Sequence, residues 1–147
     1  MIAASNVEAK GEAMAQPFVF IGTYTIKEGK LEDFKRYWPQ FVEFVEESEP
    51  QLIAFNAYVD EDGSEVGIVQ VHPDVDSMEF HMKLSREHVE QAFMDYLDDT
   101  VSTHIYGAVS DSALETMRQM GSAGLHVKPH GMGGFTRSAA ERATAAS

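Results

Sequence analysis

The chain has 147 residues, 44% hydrophobic and 10% aromatic, which suffices for one ordinary globular core and excludes disorder throughout. Eleven Lys and Arg stand against 24 Asp and Glu, a formal charge of -13, and a surface of that sign repels phosphate backbones and anionic lipid headgroups, so neither nucleic acid nor membrane is expected as a partner. The absence of cysteine removes disulfides, thiolate nucleophiles, iron–sulfur clusters and cysteine zinc sites, while no apolar run nears the roughly 20 residues of a bilayer span.

The first 16 residues lack a basic start, an apolar stretch and any apolar periodicity, so a cytoplasmic protein with a flexible N-terminal segment is expected. Phe18 to Ile26 (FVFIGTYTI) is β-branched and aromatic on both alternating faces, the pattern of a strand covered on two sides. In the following stretch Leu31, Phe34, Trp38, Phe41, Phe44 and Val45 recur at three- and four-residue steps, which predicts a long amphipathic helix ending before Pro50. Pro39 lies inside it and is expected to kink the helix or restart it. Gln51 to Val59 and Glu65 to His72 are strand patterns joined by DEDGS, a hairpin loop. Two helical runs come next, with Val75, Met78, Met82, Val89, Phe93 and Leu97 on the apolar stripe, Asp76 or Ser77 capping the first and Ser85 the second. Val101 to Val109 reads as a fourth strand, and Ser110 and Asp111 cap a short helix followed by a weak strand candidate, GLHVKPH.

The order β-α-β-β-α-β predicts an α+β, ferredoxin-like antiparallel sheet with helices on one face. The core domain is expected over 17–110 and a C-terminal helix and arm over 111–135. A flexible tail over 136–147, mostly Ala, Ser and Thr, is expected because it cannot bury enough surface to offset the entropy of ordering it. Charge divides the same way: residues 1–110 carry 21 acids and 7 bases, residues 111–147 only 3 and 4.

Together with this element order, the junction TIKEGKLEDF and the stretch DSMEFHMKLSREHVEQAF resemble the antibiotic biosynthesis monooxygenase-like family of dimeric α+β barrels, over about residues 17–110. The resemblance implies a homodimer in which two sheets pack face to face. Strands apolar on both faces, with helices enough for only one, point the same way. Chemistry in that family includes cofactor-free oxidation of phenolic or polycyclic compounds and oxidative opening of haem. Haem-degrading members use an asparagine on the first strand and a tryptophan and histidine around the second helix. Gly22, His81 and Gln91 stand at about those places here, so haem degradation is not expected. Trp38, at core spacing on the first helix, reads as packing.

Polar residues within otherwise apolar strands are the candidate site: Asn56 with Tyr58, Gln70 with His72, and His104 with Tyr106, each pair on one strand face by the period of two. Buried groups of this kind must be hydrogen-bonded or in use. A histidine near neutral pKa can take a proton from a phenol or enol while a tyrosine or amide steadies the anion. His104 and His81 are the candidate catalytic residues, with Asn56, Tyr58, His72 and Tyr106 as ligand-binding groups. The bland alternative is that these side chains satisfy one another at a dimer interface or at strand ends. His81 and His88 are too far apart along a helix, about 10.5 Å, to share a metal, and His126 and His130 lack a neighbouring carboxylate. No metal and no cofactor are expected. The glycines of MGSAGLHVKPHGMGGFTR lack the lysine of a phosphate-binding loop. A cofactor-independent monooxygenase or related enzyme acting on a small aromatic or polyketide-like molecule is the leading expectation; a non-catalytic, homodimeric small-ligand-binding module is the alternative.

Overall fold

The computed structural model describes residues 16–119 and 124–137; the expected flexible segments at the two ends lie almost wholly outside them. The elements run β1 (Phe18–Ile26), α1 (Leu31–Ser48), β2 (Ala54–Val59), β3 (Glu65–His72), α2 (Val75–Leu84), α3 (Arg86–Asp95), β4 (Leu97–Tyr106), α4 (Asp111–Gln119) and β5 (Leu125–Lys128). The sheet order is β2-β3-β1-β4-β5. The first four strands are antiparallel to their neighbours and β5 adds parallel to β4, so the sheet is mixed where a purely antiparallel one was expected. No described helix is long and apolar enough to cross a membrane.

Alternation along β1 decides which side of the sheet is covered. Phe18, Phe20, Tyr24 and Ile26 are buried beneath the helices, while Val19, Ile21, Thr23 and Thr25 on the other side are only half-buried. One core cluster joins Tyr24 and Ile26 to Phe34, Tyr37, Phe41 and Val45 of α1. A second joins Phe18, Phe20 and Ile105 to Met78 of α2 and Met117 of α4.

Four local expectations are corrected or narrowed. Pro39 does not divide α1, which is helical from Leu31 to Ser48; Phe34 and Tyr37 before it and Phe41 and Val45 after it are buried along one stripe, and that packing carries the helix through the missing donor. Helix α2 is capped by Asp74, whose Oδ1 accepts from Ser77 N–H at 2.9 Å, not by Asp76 or Ser77. Ser85 makes no side-chain cap to α3; its hydroxyl donates back to the His81 carbonyl at 2.6 Å. Strand β4 begins at Leu97, ahead of the expected Val101, because its first half is irregular. The register against β1 shifts around Tyr24, and Asp99 N–H is satisfied by Thr25 Oγ1, which lets a polar, acidic stretch join the sheet.

Candidate active site

The two core clusters do not close on each other. Between the covered face of the sheet and the four helices lies a cavity of about 1100 Å3, walled largely by Phe20, Phe34, Trp38, Phe41, Phe55 and Ile68. Protein interiors are packed nearly as densely as organic crystals, so a space of this size is a binding volume and not a packing flaw. Trp38 lines it while stacking on Phe55 at 4.9 Å, so the residue read as packing also faces the cavity.

Two polar constellations interrupt this apolar wall. The first joins the C-terminal end of α1 to α2. Glu49 caps α1 with its N–H on the Val45 carbonyl and is 2% exposed. Its place follows from helical spacing, since Phe41, Val45 and Glu49 fall on one stripe at four-residue steps while Glu46 and Glu47 point outward. Glu49 Oε2 accepts from His81 Nδ1 at 2.7 Å, and Oε1 has no partner among the described residues. With Nδ1–H committed to the carboxylate, the lone pair of His81 is on Nε2, which no described residue engages. His81 lines the cavity, against Phe55 with ring centroids 5.3 Å apart. A carboxylate that fixes the tautomer of a histidine facing an apolar space is an arrangement suited to general-base work.

The second constellation runs along β3 into α2. His72 is fully buried; its Nε2–H donates to Gln70 Oε1 at 2.9 Å, and its Nδ1 accepts from the Ser77 hydroxyl at 2.7 Å. Burial, and then the neighbouring His81, push its pKa down to about 3, so His72 is neutral at any physiological pH. With Oε1 held by His72, the amide NH2 of Gln70 is left to the cavity, which Gln70 lines. The rings of His72 and His81 are 5.7 Å apart, so the imidazole of His81 and the amide of Gln70 stand at one end of the cavity.

The candidate residues named from sequence divide between the two faces of the sheet. His81 lies in the cavity wall and His72 directly behind it. Asn56 and Tyr58 of β2 and His104 and Tyr106 of β4 lie on the opposite, uncovered face, in rows set by the pairings Asn56 with Val69, Val69 with Ile21, and Ile21 with His104. There His104 stacks on His126 at 4.7 Å and on Tyr106 at 6.4 Å. His88 stacks between Phe41 and Phe44. Glu49 was passed over because it sits in the acidic run EESEP, which reads as solvated surface; its stripe position was the available signal. A shallower, polar cleft of about 580 Å3 lies beside α1, where Lys30 and Arg36 are both engaged by Asp33. Among the described residues no cluster of three or more potential ligands is arranged to hold a metal ion.

No protein-family model matches the chain, and no curated protein matches it. Solved structures do. MupZ from Pseudomonas fluorescens superposes with a TM-score of 0.63 at 20% identity, covering 83% of this chain and 95% of MupZ. PA3566 from Pseudomonas aeruginosa gives 0.54 at 17% identity, over 63% of this chain and 93% of that one. A structure described as an antibiotic biosynthesis monooxygenase gives 0.53 at 18% identity, over 63% and 99%. The ferredoxin-like sheet with its helices on one face is thus the fold of the antibiotic biosynthesis monooxygenase-like proteins.

Proposed function

We propose that the chain is an enzyme that works by proton transfer on a small aromatic or polyketide-like molecule, with His81 as general base, Glu49 holding its tautomer, and Gln70 donating a hydrogen bond to the oxygen on which charge develops. The observation that carries this reading is the Glu49–His81 pair, buried on the carboxylate side and open on the Nε2 side to a largely apolar cavity. Taking the proton from a phenol or enol yields an electron-rich anion that reacts with dioxygen directly. Oxidation of a phenol to a quinone balances with one oxygen atom retained and the other leaving as water, so cofactor-independent monooxygenation needs no external reductant. The same proton transfer without dioxygen serves an isomerisation or a ring closure. The neighbour named as an antibiotic biosynthesis monooxygenase supports the first of these; fold likeness alone does not select between them.

The test is turnover of a panel of mono- and polycyclic phenols, followed by dioxygen uptake and by product absorbance. His81→Gln keeps a polar side chain of similar length and removes the base, and is expected to lower turnover about 100-fold or more with the fold intact. Tight binding of panel members with no turnover by the wild-type protein would favour a ligand-binding module instead.

The assembly belongs to the same reading. The uncovered sheet face carries Val19, Ile21, Val69 and Val71, half-buried side chains with no described helix over them. An apolar strip of this kind supports a homodimer in which two such faces meet. His104, Tyr106, Asn56 and Tyr58 would then belong to the interface. A cytoplasmic location accords with a chain that carries no cysteine.

A further inference from the structure

Among the described residues, the hydroxyls of Tyr24 and Thr103 are buried on the cavity wall without a hydrogen-bond partner, and that of Tyr24 is carried on a large side chain whose seat is defined. Tyr24 lies on β1 under the helices, 8% exposed, with its ring edge-on to Phe93 of α3 at 5.3 Å between centroids. The side chain doubles back along its own strand and lies over Gly22: a Cβ there would collide with the Tyr24 hydroxyl and stand 2.7 Å from Cζ. Glycine at position 22 therefore makes the seat in which the phenol rests. The hydroxyl makes no hydrogen bond to any described residue. It is not sealed in the protein either, since Glu49 Oε1 alone among the described side-chain atoms is both enclosed and without a partner. It opens on the cavity, which Tyr24 lines. Burial raises its pKa to about 12, so at neutral pH it is a hydrogen-bond donor and not a base.

Its position relative to Gln70 follows from the register. Gly22 pairs with Ile68, which makes Gln70 its diagonal neighbour on the same face, about 7–8 Å away. A donor over Gly22 and a donor at Gln70 thus flank one stretch of apolar wall about as long as a bicyclic aromatic ring system. An unpaired donor in an apolar site costs free energy that a ligand oxygen recovers.

We propose that Tyr24 is a specificity-determining residue whose hydroxyl donates to a second oxygen of the bound molecule. The cavity then takes a flat, largely apolar molecule carrying two oxygen functions about one bicyclic ring apart. This rests on the acid–base reading in one respect, that the first oxygen sits at Gln70 and His81.

Affinities of 2,6-dihydroxynaphthalene, 2-naphthol and naphthalene, measured by calorimetry or fluorescence titration, test it. The wild-type protein is expected to bind the diol about fivefold to tenfold more tightly than 2-naphthol, the value of one hydrogen bond. Tyr24→Phe should erase that ratio and leave naphthalene affinity and the melting temperature unchanged. Gly22→Ala, which keeps the hydroxyl but displaces it, should erase the ratio too; if it does not fold, Tyr24→Phe decides alone. Retention of the diol preference by Tyr24→Phe or by folded Gly22→Ala overturns the proposal. So does equal weakening of all three ligands, which would make the ring a packing element, and so does a wild-type protein that binds the diol no better than the others. Failure of the acid–base reading shows elsewhere, as full turnover by His81→Gln, and leaves the diol-to-naphthol ratio untouched.

Discussion

His72 and Glu49 illustrate how much a single buried side chain can decide. His72 titrates near 6.5 when unfolded, but burial and the adjacent His81 hold it near 3 in the fold. Between those values the unfolded chain binds a proton that the folded chain refuses. Stability therefore falls as pH drops through 6.5, by about 1.4 kcal/mol per pH unit, and this group costs nothing above it. Urea melts of the wild type and His72→Gln between pH 4.5 and 7 should converge as the pH falls, and parallel profiles would mean that His72 is not the group responsible. Glu49 has the converse role, because its value lies in the partner it orients. Glu49→Gln can still accept from His81 Nδ1–H, so it should cost little stability, yet by removing the charge behind the ring it weakens the base; a fall in turnover with an unchanged melting temperature is the expected result. Glu49→Leu leaves Nδ1–H buried without an acceptor and should lower stability by about 1–3 kcal/mol, read from denaturant midpoints. His81 was legible as a histidine on an apolar helical stripe. Its partnership with Glu49, 32 residues away, was not, because no local pattern encodes a contact between the end of one helix and the face of another.

At the scale of elements, α1 and α4 respond to different single changes. Pro39 is exposed in α1, so its ring contributes no core packing while its missing N–H leaves the Lys35 carbonyl without its usual donor. Pro39→Ala should stabilise the protein, by up to about 3 kcal/mol, with a higher melting temperature as the check. The reverse holds at the start of α4, where Ser110 Oγ accepts from Ala113 N–H at 3.1 Å and donates to Glu79 of α2. Ser110→Ala should cost about 1 kcal/mol. β1 and β3 could be read to the residue, since each is a continuous apolar or alternating run bounded by turn residues. The start of β4 could not, for Asp98, Asp99 and Thr100 have no strand pattern of their own; Leu97 and Thr100 pair with β1 across a shifted register, and Asp99 is held only through Thr25 Oγ1.

For the whole molecule the prediction concerns the uncovered face. Val69→Lys puts a charge in the middle of that face and away from the cavity, so it should shift a dimer towards monomer in light scattering while circular dichroism and ligand affinity stay unchanged. A monomeric wild-type protein at micromolar concentration would remove the interface and leave the cavity as it stands. Composition and periodicity by themselves determined the element order, the ferredoxin-like class and the strand faces, because those depend on whether neighbours along the chain are apolar and at what spacing. They also marked Asn56, Tyr58, Gln70, His72, His104 and Tyr106 as polar interruptions. Which of these share a side of the sheet was decided only by register, and register placed Gln70 and His72 under the helices and the other four on the opposite face. The cavity and the approach of Glu49 to His81 exist only once distant segments pack together, since each is a relation across space between residues whose own sequence neighbourhoods carry no trace of it.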